Sequence, residues 1–149
     1  MARDRATRAR HLARELLVKA LYQWQIAGHG VPEIKAQFAA TEDFERADGE
    51  YFGDLLKAIV ADAPALDELI ARYAVRSIEQ LDAVGRAVLL LGLAELKHRV
   101  DVPTRVVINE AIELAKRYGT TDSHKFVNAV LDKSARDLRQ ELGARETKA

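Results

Sequence analysis

Two stretches of the sequence carry the residue types that proteins use to bind nucleic acid. Near the amino terminus, Arg3, Arg10 and Arg14 are spaced by seven and four residues, so on a helix they share one side. Guanidinium groups fork onto phosphates and stack on bases, which suits an RNA backbone. Residues 118–126 combine two aromatic side chains, a lysine and small polar groups, a mixture that holds unpaired bases and their phosphates. The alternatives are a solvated charged terminus and, favoured for the aromatic pair taken alone, packing in the core.

Catalytic and metal-binding patterns are weak. Glu95 and His98 have the i, i+3 spacing of di-iron bundles, but such a site needs a second copy and two more glutamates. Residues 122–124 supply the three residue types of a catalytic triad, yet sequence neighbours do not converge into a relay, and Asp122 or Ser123 is better placed to cap a helix. The chain has no cysteine, no phosphate-binding loop and no dinucleotide-binding glycine pattern. We therefore predict no enzyme, no metal and no cofactor.

The composition is typical of one globular domain, residues 1–149. The chain has 149 residues and 48% hydrophobic residues, and a chain of this size buries about 70% of its unfolded surface. Its apolar runs are far shorter than the ~20 residues of a membrane span, and no signal-peptide core is evident. We expect a cytoplasmic protein with no membrane contact and with flexible ends at residues 1–7 and 143–149.

The 23 basic and 23 acidic side chains balance, but they are unevenly distributed along the chain. Residues 1–19 carry six basic and two acidic groups, whereas residues 33–82 carry five basic and twelve acidic groups. A neutral chain of this kind can still present one cationic surface to a polyanion.

Apolar residues recur at three- and four-residue spacing, and no useful run alternates with period two, which predicts an all-α domain of about seven helices. Thr7 is a candidate cap for the first helix, which Gly28 would end. Pro64 is expected to separate two helices, and Gly119 and Gly143 to end the last two.

The middle of the chain contains the expected central helix. Residues 77–80 (SIEQ) have the pattern of a capping box. Residues 82–99 are then apolar on nearly all sides, as in a helix that others surround.

A longer pattern near the C-terminus resembles a known family. It consists of residues 107–119 (VINEAIELAKRYG), 122–128 (DSHKFVN) and 130–133 (VLDK). Together these residues resemble the C-terminal signature of the NusB transcription antitermination factors. Shorter similarities to the family lie at residues 13–15, 20–25, 51–52, 55–56, 86–89 and 95–96. The resemblance spans about residues 8–140.

The resemblance implies an all-helical fold of two small packed bundles and a non-catalytic role. NusB-like proteins pair with NusE, a protein of the small ribosomal subunit, and the pair binds the boxA element of nascent single-stranded RNA. With other Nus factors, this modifies RNA polymerase to resist termination, notably during ribosomal RNA synthesis.

The resemblance also implies roles for individual residues. Transferred by position, the RNA-binding residues are Arg8, Arg10, Arg14, Tyr73, Tyr118, Asp122, Lys125 and Phe126. Tyr22 and Arg86 fall where the family meets NusE.

Two departures from the family pattern bear on these roles. His11 and Leu12 stand within the family's arginine run, which weakens the local charge. Gly85 stands where many relatives have an acid, and a glycine inside a helix costs about 1 kcal/mol relative to alanine. This change removes a charge that could face NusE.

Other functions and assemblies stay open at this point. One is a protein-binding helical adaptor without RNA specificity, since the NusB-like module also occurs joined to an RNA methyltransferase domain. A major-groove DNA reader is disfavoured by the neutral isoelectric point of about 6.9. Some family members self-associate, so a homodimer that buries the arginines is a further alternative.

Overall fold

The computed structural model describes residues 2–74 and 81–148, with side chains described as far as residue 140. All regular structure in these residues is helical. The helices are α1 (Ala2–Ala27), α2 (Val31–Ala39), α3 (Gly49–Tyr73), α4 (Ala83–His98), α5 (Thr104–Tyr118) and α6 (Ser123–Lys148), with a 3-10 turn at Glu42–Arg46. The predicted all-α class is confirmed, with six α-helices in the described residues in place of about seven.

The difference in number comes from α3, which runs through Pro64 as one helix. The prediction that Pro64 separates two helices is wrong. A proline inside a helix removes the hydrogen bond to the carbonyl four residues earlier, here that of Val60. Pro64 lies exposed, whereas Leu66 and Ile70 are fully buried. The apolar contacts of the inner face therefore outweigh the hydrogen bond lost on the outer face.

Helix α1 begins before Thr7 and ends at the predicted glycine. The Thr7 hydroxyl donates to the Arg3 carbonyl at 3.0 Å, one turn earlier, so Thr7 lies inside the helix and the prediction that it caps the start is wrong. The helix ends at Ala27, and Gly28 adopts a φ of 71°. Glycine enters this left-handed conformation without the steric cost that other residues meet, which explains why the helix stops there.

Helix α4 is the central helix, as its apolar sequence predicts. Nearly all residues from Gly85 to Leu96 are buried, and α4 packs against α1, α3, α5 and α6. The predicted capping box at residues 77–80 lies outside the described residues. Neither α4 nor any other helix of the described chain combines the length and the apolar character needed to cross a bilayer.

Gly85 lies in the first turn of α4 rather than in its interior. Its N–H donates to the Asp82 carboxylate at 2.7 Å, which caps the helix. A Cβ at this position would lie 2.8 Å from Asp82 Oδ1 and 2.8 Å from Leu81 Cδ1. The glycine therefore leaves room for the cap, and its cost is smaller than at a mid-helix position.

The helices form two small groups around α4. Helices α1 and α3 pack on α4, with α2 against α1 and α3, and α5 and α6 pack against each other and against α4. Helix α6 approaches α4 at Gly92, where a Cβ would lie 2.8 Å from Leu131 Cδ1. The absence of a side chain at Gly92 therefore permits the close crossing of these two helices.

Helix α6 extends further than the sequence predicts. Gly119 follows the last residue of α5, as expected. Helix α6, however, continues through Gly143 to Lys148, so the prediction that it ends at Gly143 is wrong. One glycine costs a helix only about 1 kcal/mol, which does not by itself terminate it.

Candidate nucleic-acid and protein interfaces

Helices α1 and α5 lie side by side and run in the same direction. His11 Nδ1 lies 2.7 Å from Glu110 Oε2. Eight residues later on both helices, the Lys19 ammonium lies 5.8 Å from the centre of the Tyr118 ring. Because both contacts are eight residues apart on each helix, α1 and α5 stay side by side over about 12 Å. We call this row the α1–α5 seam: His11, Glu15 and Lys19 of α1 with Glu110, Arg117 and Tyr118 of α5.

The two acids of the α1–α5 seam, Glu15 and Glu110, contact basic side chains. Arg117 donates to Glu15 Oε1 at 2.7 Å, and His11 Nε2 lies 3.3 Å from the same oxygen. Arg14 Nη1 lies 3.6 Å from Glu110 Oε1. The Glu15 side chain is only 12% exposed, whereas that of Arg117 is 64% exposed. The α1–α5 seam therefore presents more positive than negative charge to solvent.

The arginine-rich start of the chain joins the near end of the α1–α5 seam. Arg8, His11, Glu15 and Lys19 are spaced by three, four and four residues, which places them on one face of α1. Arg8 and Lys19 are exposed and lie about 16 Å apart along the helix axis. The predicted Arg8 and Tyr118 thus lie toward opposite ends of one continuous surface.

Arg14 lies inside the protein. Its side chain is 3% exposed, and its Nε and Nη2 atoms donate to the two carboxylate oxygens of Glu95 at 2.9–3.1 Å. The Tyr51 hydroxyl donates to the same carboxylate. The expectation that Arg14 lies on an exposed face is wrong, because α4 covers that side of α1 and supplies the anion that Arg14 binds.

Burial and charge shift the protonation equilibria around Glu95. Burial alone would lower the pKa of Arg14, but the hydrogen bonds and charge of Glu95 outweigh it and raise that pKa. The pKa of the Tyr51 hydroxyl is raised mainly by its burial and further by the Glu95 charge. Arg14 therefore stays charged and Tyr51 stays neutral in the folded protein.

Arg10 lies at the rim of this buried group, on the same side of α1 as Arg14. Its guanidinium carbon lies 4.2 Å from the centre of the Tyr51 ring. Its Nη1 lies 3.8 Å from Asp101 Oδ2, and its side chain is 33% exposed. Arg10 is therefore partly accessible to a ligand, in contrast to Arg14.

The second predicted binding stretch, residues 118–126, lies at the far end of the α1–α5 seam, between α5 and α6. Tyr118 and Phe126 pack against the core but keep part of each ring accessible. The charged atoms of Asp122 and Lys125 lie 3.4 Å apart, and both side chains are exposed. The structure thus brings these four predicted residues into one turn and its flanks, with both rings half-buried.

Asp122 and Ser123 do not cap α6 as the sequence predicts. Asp122 has a φ of 72°, and its carboxylate pairs with Lys125. The Ser123 hydroxyl donates back to the Ala115 carbonyl at 3.4 Å. The carboxylate of Asp122 therefore stays at the surface, beside the cation that the sequence predicts for phosphate binding.

Tyr73 lies apart from the other predicted RNA-binding residues. It is the last residue of α3, and its hydroxyl donates to Asp137 of α6, which raises the pKa of that hydroxyl. Asp137 follows Phe126 by eleven residues, or about 16 Å along the helix. Tyr73 and Asp137 line a groove of about 230 Å³ with Arg72 and Lys97. The structure therefore does not place Tyr73 beside the α5–α6 turn.

Tyr22, predicted to contact NusE, lies near the C-terminal end of α1, and Arg86 of α4, predicted for the same role, contacts that end through Trp24 and Gln25. Tyr22 is 45% exposed, and Ile26, one turn later, is 64% exposed. Arg86 donates to the two carboxylate oxygens of Asp67 at 2.6 and 3.0 Å, and its guanidinium carbon lies 5.4 Å from the centre of the Trp24 ring. An exposed apolar pair thus lies at the opposite end of α1 from the arginine-rich start.

The Glu95 and His98 pair is not a metal site in this arrangement. Glu95 faces Arg14, whereas His98 Nε2 lies 3.0 Å from Asp62 Oδ2. No three metal-binding side chains converge anywhere in residues 2–74 and 81–140.

Sequence reasoning missed Lys19 and Arg117 as members of the candidate interface. Lys19 follows Arg8 by eleven residues, or three helical turns, so the sequence alone could have placed Lys19 on the same face of the helix as Arg8. The pairing of Arg117 with Glu15 had no such signal, because 102 residues separate the two.

Comparisons with known proteins identify the family of the chain. A family model described as the NusB family matches residues 11–136. The transcription antitermination protein NusB of Alcanivorax borkumensis is 54% identical over 131 residues, 88% of this chain and 87% of that protein. The protein of the same name from Photorhabdus laumondii is 46% identical over 132 residues, 89% of this chain and 96% of its own.

Two solved structures share the fold. T. maritima NusB superposes with a TM-score of 0.76 at 35% identity, covering 85% of this chain and 89% of its own. A structure described as antitermination factors NusB and NusE in complex with dsRNA superposes with a TM-score of 0.73 at 27% identity, covering 87% and 98%. By sequence and by fold, the chain belongs to the NusB family.

Proposed function

We propose that this protein is a non-enzymatic, cytoplasmic antitermination factor that binds boxA RNA together with a NusE partner. Its relatives are named transcription antitermination proteins, and a solved structure with the same fold contains NusB, NusE and RNA. In this role, the complex acts with other Nus factors to help RNA polymerase resist termination on ribosomal RNA.

The observation that carries the proposal is the continuity of the α1–α5 seam. It runs from His11 to Lys19 and Tyr118, and the exposed Arg8 extends the same face of α1 by one turn beyond His11. A span of about 16 Å accommodates about five nucleotides at the 3.4 Å spacing of a stacked strand. A single stretch of RNA can therefore contact both predicted binding stretches at once.

The charges of the α1–α5 seam favour a polyanion. Glu15 is paired with Arg117, and the side chains of Glu15 and Glu110 are only 12% and 18% exposed, while Arg8, Lys19 and Lys125 are exposed. Phosphate contacts to such cations supply affinity but carry no sequence information. These side chains therefore provide the sequence-independent part of RNA binding.

The half-buried rings at the far end of the α1–α5 seam suit the bases. Two cations lie near the Tyr118 ring, with Lys19 Nζ 5.8 Å and the Arg117 guanidinium carbon 5.4 Å from its centre. Phe126 is anchored in the core on one side. A ring that is already fixed loses little freedom when an unpaired base stacks on it. We assign sequence preference to this end of the surface, with Asp122 able to accept hydrogen bonds from base edges.

The exposed pair Tyr22 and Ile26 suits the protein partner. Aromatic and aliphatic side chains anchor protein interfaces when a partner covers them. Arg86 donates to the side chain of Gln25, the residue before Ile26, at 3.2 Å and is held by Asp67. Tyr22 follows Lys19 by one turn of α1, so the partner contacts α1 just beyond the end of the α1–α5 seam that holds Tyr118, while the RNA backbone follows the seam toward Arg8.

The test is an RNA titration, by fluorescence anisotropy, of the protein alone and with NusE. The ligands are a single-stranded boxA oligomer, a scrambled oligomer and the boxA duplex, each over a salt series. We expect a preference for single-stranded boxA that NusE strengthens. With about three to five phosphates contacted, the logarithmic salt slope should be roughly −2 to −3.5. Equal binding of boxA and scrambled RNA under both conditions would favour the alternative, a protein-binding adaptor without RNA specificity.

A further inference from the structure

A cluster of arginines surrounds Tyr51 at the end of the α1–α5 seam opposite Tyr118. The guanidinium carbons of Arg10 and Arg99 lie 4.2 and 4.7 Å from the centre of the Tyr51 ring. Both arginines also approach Asp101, with closest N···O distances of 3.8 Å for Arg10 and 3.4 Å for Arg99. We call Arg10, Tyr51, Arg99 and Asp101 the Tyr51 cluster.

The Tyr51 cluster has more hydrogen-bond donors than acceptors. Charge-assisted bonds between guanidinium and carboxylate groups are usually 2.7–2.9 Å long, so neither contact to Asp101 is a full hydrogen bond. Arg99 Nε is buried and has no hydrogen-bond partner in the structure. Arg14, by contrast, makes three hydrogen bonds with Glu95 at 2.9–3.1 Å. One exposed carboxylate therefore faces two partly exposed arginines whose donors it does not satisfy.

A third arginine adds charge and shapes the turn behind the cluster. The Arg139 guanidinium of α6 donates to the carbonyls of Glu95, Arg99 and Val100 at 3.3–3.4 Å. These carbonyls belong to the last turn of α4 and to the turn that follows it, and those of Glu95 and Arg99 also accept backbone N–H groups, from Arg99 and Val102. Arg139 thus holds the backbone of Arg99 in place and increases the positive charge near Asp101.

The arginines of the Tyr51 cluster are held ready for a planar or tetrahedral anion. The Tyr51 ring is fixed by its surroundings, because the residue is only 2% exposed. The backbone N–H of Tyr51 donates to the Asp48 carboxylate at 3.0 Å, and the Tyr51 hydroxyl donates to Glu95. A guanidinium stacked on a fixed ring loses less freedom on binding, and its outer edge can still fork onto phosphate oxygens.

We infer that Arg10 and Arg99 form a binding site for one phosphodiester group of the RNA backbone. Asp101 holds this site in the free protein, and the phosphate takes its place between the two guanidinium groups. The inference rests on the proposed function and extends the RNA path beyond Arg8 to the turn between α4 and α5. Arg99 and Asp101 are new to the interface.

The experiment measures boxA RNA affinity and its salt dependence for Arg99→Gln and Asp101→Asn. For Arg99→Gln we expect roughly tenfold weaker binding at low salt and a salt slope reduced by about 0.7. For Asp101→Asn we expect roughly threefold tighter binding, because the competing carboxylate is gone. Arg99→Lys should keep the salt slope but bind several-fold more weakly, since lysine lacks the fork.

The matched controls are Arg46→Gln and Asp43→Asn. These two residues form an exposed pair of their own, 2.9 Å apart, in the 3-10 turn. They correct for the general effect of adding or removing one surface charge. Thermal unfolding of every variant separates lost binding from lost folding. The Asp101 side chain is 59% exposed, so Asp101→Asn tests the site even if Arg99→Gln fails to fold.

The outcomes are distinguishable from failure of the proposed function. If wild-type protein shows no boxA preference, the proposed function is wrong. If wild-type protein binds boxA but Arg99→Gln matches Arg46→Gln, or Asp101→Asn binds no more tightly than Asp43→Asn, only the phosphate site is wrong.

Discussion

The two faces of α1 use the same residue type in opposite ways. Arg14 points toward α4 and meets a buried carboxylate, whereas Arg8 points along the α1–α5 seam and meets solvent. Arg10 lies between these extremes, one third exposed on the edge of the buried group. The position of a neighbouring helix, and not the residue type, decides whether an arginine stabilises the fold or is available to RNA.

Removing the buried charge at Arg14 should have the largest effect. Arg14→Gln leaves Glu95 buried and unpaired, which should lower the free energy of unfolding by about 3–5 kcal/mol. The measurement is urea denaturation followed by circular dichroism. A loss below about 1 kcal/mol would mean that the Arg14–Glu95 pair contributes little to holding α1 on α4, contrary to the structural role given to Arg14 above.

Phe126 tests the aromatic end of the α1–α5 seam, because its half-buried ring contacts both the core and the solvent. Phe126→Ala should weaken boxA binding by about 1–3 kcal/mol because the stacking surface is lost. Because the ring also packs on the core, stability should fall as well. Phe126→Leu is the control, since leucine keeps much of the apolar packing but cannot stack. If Phe126→Leu binds RNA as well as the wild type, Phe126 belongs only to the core.

The stability of the protein at alkaline pH should depend on Tyr51, which contacts the buried Arg14–Glu95 pair. Its pKa is raised by burial and by Glu95, so above about pH 10 the unfolded chain releases a proton that the folded protein keeps. Stability from this group is therefore complete below about pH 10 and falls by about 1.4 kcal/mol per pH unit above it. Denaturation of the wild type and of Tyr51→Phe should show a stability difference that narrows as pH rises. A constant difference between pH 9 and pH 11 would contradict this result.

Exposed cations should show the smallest change in stability and a clear change in RNA binding. Arg8→Gln and Lys19→Gln should each alter the free energy of unfolding by no more than about 0.5 kcal/mol and reduce the salt slope by about 0.7. The control is Arg136→Gln, an equally exposed arginine of α6 that pairs with Asp132. Equal salt slopes for Arg8→Gln and Arg136→Gln would place Arg8 outside the RNA interface.

Much of the fold follows from local sequence. The recurrence of apolar residues predicts the helices, the all-round apolar character of residues 82–99 predicts the central position of α4, and Gly28 predicts the end of α1. Pro64 and Gly143 mislead, because packing along α3 and the low cost of a single glycine in α6 override local preferences.

The candidate site is only partly readable in this way. Residues 118–126 lie together because they are contiguous, and Arg8 lies on the face of Lys19 because of helical spacing. Tyr73 is the contrary case, since its position beside Asp137 depends on how α3 crosses α6. The spacing of residues along the sequence does not indicate where α3 and α6 cross.

By itself, the sequence determined which residues form helices, which stretches carry cations and rings, and, through its similarity to relatives, the family. Only the tertiary structure decided that Arg14 is internal and that Arg10 and Arg99 share the Tyr51 ring. The reason is physical: the exposure of a side chain depends on the helix packed against it. The carboxylate that neutralises Arg14 lies 81 residues away along the chain, beyond the reach of any local pattern.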